Sequence, residues 1–133
     1  MFTTPMSTIS LAAILDLIGV NKFCWSILYI WAVSRQESGL NVLNLEEKTK
    51  RNTGYQVEWD ELVKISKNLD QVNECTIVAV NPSKQFPDRE LPLDRLRELC
   101  DIVIEGFDST VWEITVQNDE LKRRLVKHFP NVN

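Results

Sequence analysis

The chain has 133 residues, 44% hydrophobic and 26% charged, with four glycines and five prolines, a size and balance that suit one hydrophobic core and exclude disordered, collagen-like and low-complexity chains. A formal charge of −4 argues against nucleic acid as a partner, because phosphate binding depends on clustered Lys and Arg. Three widely spaced cysteines, an odd number with no secretory pattern before them, suit a reducing compartment, so a cytoplasmic location is expected.

Residues 1–6 are expected to be flexible, with Met6 standing as an alternative start. The apolar run from Ile9 to Val33 is interrupted by Asp16, Asn21 and Lys22, which argues against a membrane span. It divides into a helix over Thr8–Ile18, closed by Gly19, and a strand over Phe23–Val33. In that strand the odd positions Phe23, Trp25, Ile27, Tyr29, Trp31 and Val33 form a large, mostly aromatic face. The even positions are smaller but still mainly apolar, so both faces are expected to be covered. A helix over Leu43–Arg51 would end at Asn52-Thr53-Gly54. Trp59–Leu69 carries Trp59, Leu62, Val63, Ser66 and Leu69 on one stripe, with Asp60 spaced to pair with Lys64.

Cys75–Val80 is a short apolar run that reads as a central strand. Leu93–Cys100 reads as a two-turn helix behind Pro92. Strands over Asp101–Phe107 and Val111–Gln117 flank the turn Asp108-Ser109-Thr110. The last helix, Asp119–Phe129, has Asn118 as cap, acids in its first turn and Lys122, Arg123, Arg124 and Lys127 toward its negative end. The expected architecture is an α/β (or α+β) single domain, order α-β-(α)-α-β-α-β-β-α: a mixed sheet of about four strands with helices packed on it. This order of elements is similar to that of the thioredoxin fold, although Cys-x-x-Cys is absent.

A three-residue turn predicts the hairpin register. Phe107 faces Val111, Gly106 faces Trp112, Glu105 faces Glu113, Ile104 faces Ile114 and Ile102 faces Val116. Trp112 would lie across the gap that Gly106 leaves. Glu105 and Glu113 would be directly opposed on the other face, where they must either splay into water or share something.

The formal charge hides an asymmetry. Residues 88–120 hold ten acids against three bases, and Lys122, Arg123, Arg124 and Lys127 follow at once. The carboxylate pair Glu105 and Glu113 is the one enzyme-like constellation, able to hold a metal or divide acid and base roles. Two acids on neighbouring strands resemble metal-dependent nucleases of the restriction-enzyme type, except that Thr115 stands where that family has lysine. No phosphate-loop, dinucleotide or serine-hydrolase motif is present, and the lone His128 has no zinc-like spacing with the cysteines. No cofactor, metal or catalytic residue is therefore assigned.

Position suggests a binding site beyond the carboxyl ends of parallel strands, where residues 34–38 and the proline-stiffened loop 81–92 would meet. The binding residues expected are Arg35, Glu37, Lys84, Phe86, Asp88, Arg89, Glu90, Asp94 and Asp108, with Phe86 as anchor. The function expected is a small acidic protein-binding module of the inhibitor, immunity or adaptor type that occupies a partner's basic surface. The alternative is a metal-dependent hydrolase or nuclease using the carboxylate pair. Nucleic acid and membrane are not favoured as partners, and a homo-oligomer is left open.

Overall fold

The computed structural model describes residues 1–129. In chain order it contains β1 (Phe2–Pro5), α1 (Leu11–Ile18), β2 (Cys24–Ser34), α2 (Val42–Lys48), β3 (Tyr55–Val57), α3 (Trp59–Lys67), β4 (Leu69–Val80), α4 (Leu93–Leu99), β5 (Ile102–Phe107), β6 (Val111–Val116) and α5 (Asp119–Val126). The strands form one sheet, ordered β1-β6-β5-β4-β2-β3, in which every neighbouring pair is antiparallel.

The mixed four-stranded sheet is thereby corrected, and so is the thioredoxin-like order. The expected parallel pairing took each helix as a crossover to the far end of the sheet. Instead, β4 begins at Leu69, one residue after α3, so no chain remains to travel back. Likewise β5 starts beside Ala79, near the end at which β4 stops. Residues 69–74 look unlike a strand because they are polar, yet Leu69 and Val72 are buried among them.

Two edge strands were not foreseen. Residues 2–5, expected to be flexible, pair with β6 and bury Phe2 and Thr4. Strand β3 covers only Trp25–Ile27 of β2. Gly54 leads into it with φ +77°, and a Cβ there would lie 2.5 Å from the Ile27 carbonyl oxygen, so a side chain is excluded both by conformation and by space.

The larger core lies between one sheet face and helices α1, α2, α3 and α5. In α1, the Ser10 hydroxyl accepts from the Ala13 amide at 3.1 Å, and Gly19 ends the helix. Ile14 and Leu15 are wholly buried, each contributing about 2 kcal/mol by removal from water. The rings of Trp25 and Trp59 meet at 5.2 Å, fixing α3 on the sheet. Arg124 of α5 donates to the Ile18 carbonyl at 2.6 Å, so part of the basic cluster caps another helix.

On the other face a smaller cluster, Leu28, Val78, Val80 and Val103, is covered by Leu96 and Cys100 around α4 and by Phe86 and Leu91 of the loop. The hairpin register is as predicted at every expected pair. Asp108 and Ser109 both have positive φ, as a type I′ turn requires, and the Thr110 amide donates to the Phe107 carbonyl at 2.9 Å. Among the described residues no helix is long and apolar enough to cross a membrane.

Strand β2 departs from the expected alternation. Its pairing with β4 slips between Ile27 and Tyr29, leaving Leu28 as a bulge. A one-residue slip moves every later side chain to the opposite face. Trp25 and Ile27 therefore point into the larger core, but beyond the bulge Ile30 and Ala32 do so. Tyr29, Trp31 and Val33 emerge on the other face, 41%, 53% and 50% exposed.

Candidate functional site

The outer sheet face is divided in two. Helix α4 and the loop 81–92 cover the half around Leu28, Val78 and Val103. The remaining half is open. The strand register places Tyr29, Trp31 and Val33 of β2 on it, beside Thr76 and Glu74 of β4, Glu105 and Phe107 of β5 and Val111 and Glu113 of β6. Trp31 lies directly across from Glu74, and Tyr29 across from Thr76.

At the border between the halves stands the carboxylate pair. Arg97 of α4 donates through Nε to Glu105 Oε1 at 2.8 Å and through Nη2 to Glu113 Oε2 at 3.3 Å. The opposed glutamates thus share a guanidinium. Gln117 Nε2 donates to the Arg97 carbonyl at 2.7 Å, tying the helix to the chain beyond β6. Glu105 is fully buried, and burial pushes its carboxyl above the usual carboxylate range; Arg97 opposes that rise and Glu113 adds to it. Glu105 Oε2 and Thr115 Oγ1 are buried without a hydrogen-bond partner among the described residues. A metal ion between the carboxylates would have to displace the guanidinium, which already meets both. Among the described residues no group of three or more His, Cys, Asp or Glu is placed to hold a metal.

The residues expected to line a binding site are not brought together. Because β2 and β4 run antiparallel, Ser34 lies beside Leu69 while Val80 lies beside Cys24. Segment 34–38 and loop 81–92 therefore leave the sheet at opposite ends, and their expected meeting is overturned. Arg35 is exposed, donates through Nε to the Lys67 carbonyl at 2.8 Å, and lines a cleft of about 450 Å3 with Asp70, Ser109 and Trp112. Glu37 is exposed in a turn with φ 64°. Asp108 sits at the hairpin tip, which Ser109 fastens to Asn73 of β4 through its amide and its hydroxyl, both at 2.8 Å.

At the other end, Lys84 pairs with Asp101 at 3.3 Å, and the Arg89 amide donates to the Asn52 carbonyl. Asp88 Oδ1 accepts from the Glu90 amide at 2.8 Å, and Asp94 is exposed in the first turn of α4. Phe86 is half-buried against the smaller cluster, so it packs the loop down rather than standing free as an anchor. Part of the acidic stretch is neutralised: Glu98 pairs with Arg95, Glu105 and Glu113 with Arg97, and Asp101 with Lys84 from outside the stretch.

Sequence reasoning missed Tyr29, Trp31, Val33 and Glu74. The first three were assigned to a buried face, because nothing in an unbroken apolar strand marks the bulge at Leu28. No family model matches the chain, and no match is found among curated proteins or solved structures.

Proposed function

We propose that the protein is a small acidic protein-binding module of the inhibitor, immunity or adaptor kind, acting by occupying a partner's surface. The observation that supports this reading most is the uncovered half of the outer sheet face, where Tyr29, Trp31 and Val33 stand exposed side by side. Single exposed apolar residues are ordinary, but three along one strand with no helix over them form the kind of patch that partners cover. Aromatic residues suit that task, since they bring a large contact area at little loss of side-chain freedom.

Copurification from the native cell at low salt tests the reading. A stoichiometric partner is expected with the wild-type chain and is expected to be lost with the triple variant Tyr29→Ser, Trp31→Ser, Val33→Thr. Recovery of no partner, or of the same partner in equal yield with the triple variant, overturns it.

A further inference from the structure

The open half of the sheet pairs an exposed indole with an acidic side chain, Trp31 with Glu74. The charged residues that the strand pairing places on this side of the sheet are glutamates, Glu74 and Glu113 with the fully buried Glu105 between their strands. Glu105 and Glu113 are both held by Arg97. Glu74 has no ion-pair partner among the described residues and stands directly across from the half-exposed ring of Trp31. Directly opposed residues of antiparallel strands have Cβ atoms about 5 Å apart. A cation resting on the indole face would therefore lie within reach of the carboxylate as well.

We propose that this face docks a basic segment of a partner protein, seating an Arg or Lys side chain on Trp31 beside Glu74 while apolar neighbours cover Tyr29 and Val33. The inference rests on the binding-module reading and names the partner's chemistry. Indole is the strongest aromatic acceptor for a cation, and guanidinium or ammonium groups satisfy the ring and the carboxylate together. The other occupants fit less well. A second copy docked face to face would bring another acidic surface to Glu74 and offer it no unpaired base, since Arg97 is already engaged by Glu105 and Glu113. An anionic lipid surface or a nucleic acid would meet the unpaired carboxylate of Glu74 beside Trp31.

The test is a nuclear magnetic resonance titration of the full chain with an alternating leucine–arginine pentapeptide and with its leucine–glutamate counterpart. The arginine peptide is expected to shift the Trp31 indole and the Tyr29, Val33 and Glu74 amides at millimolar concentration, and the glutamate peptide to leave them in place. Glu74→Gln and Trp31→Leu are each expected to weaken the arginine peptide about threefold to fivefold. Equal response to both peptides overturns the basic chemistry while leaving an apolar docking face intact. No response at these residues, or shifts confined to loop 81–92, overturns the inference, and the module reading then stands or falls on copurification alone.

Discussion

The Arg97 guanidinium meets Glu105 at 2.8 Å, and this contact joins α4 to the middle of the sheet. Removing one member of a buried pair leaves an uncompensated charge, a loss of about 3 kcal/mol. Arg97→Met is therefore expected to lower stability by about that much in urea denaturation, and Glu105→Gln in the same chain to restore most of it, because the stranded carboxylate is then gone. Additive losses would show that the two side chains do not act as a pair.

The same carboxyl gives a pH signature. Its folded-state value lies above the ordinary one, with burial as the main cause. The folded chain therefore binds this proton more tightly than the unfolded chain does. Its contribution to stability is fully present below the ordinary carboxylate value and is lost as pH rises through the raised one. Across that window the wild-type chain is expected to gain on Glu105→Gln with falling pH, read as diverging urea midpoints. Parallel profiles would contradict the assignment.

Gly106 makes room for Trp112. A Cβ at Gly106 would meet the indole Cζ3 at 2.9 Å and Met6 Cε at 2.8 Å. The methionine tip can move, but the indole is anchored by its Nε1 donating to the Ile9 carbonyl at 3.0 Å. Gly106→Val is expected to cost about 2 kcal/mol through overpacking, measured by thermal unfolding. An unchanged melting point would mean the ring is free to shift.

A chain beginning at Met6 loses β1, with its buried Phe2 and its pairing to β6. Loss of the Phe2 burial and of the edge hydrogen bonds is expected to lower stability by about 3 kcal/mol in urea. A shortened chain as stable as the full one would show that β1 is dispensable.

The three thiols differ in reach. Cys24 is exposed, whereas burial pushes Cys75 up to about 12 and Cys100 up to about 11. One thiol per folded chain is expected to react with a disulfide reagent at neutral pH, and three after denaturation. Rapid reaction of all three in the folded chain would contradict the burial.

Legibility in the sequence followed how local the determinants are. The β5–β6 register could be read because a short turn links the strands and Gly106 complements Trp112 across them. The cap Asn118 sits beside the helix it begins, whereas the first helix starts behind Ser10 rather than at Thr8. Strand direction was not legible, since a helical connection is compatible with return to either end of a sheet. Nor were the polar start of β4 and the edge strand β1, whose pairing depends on residues more than 100 positions away. The candidate site was missed for one reason: the Leu28 bulge exchanges the faces of β2, and both faces of that strand are apolar. The carboxylate pair was found by register, while the arginine it shares comes from another element.

The most direct test of the account compares affinities for the partner recovered from the native cell. Titration calorimetry would measure Trp31→Ser on the open face beside Lys84→Ala and Asp88→Ala on the loop. A loss of about tenfold or more is expected for Trp31→Ser, with an unchanged unfolding midpoint, and little change for the loop variants. Full affinity in Trp31→Ser together with a loss in the loop variants would place the interface at the other end of the sheet and contradict it.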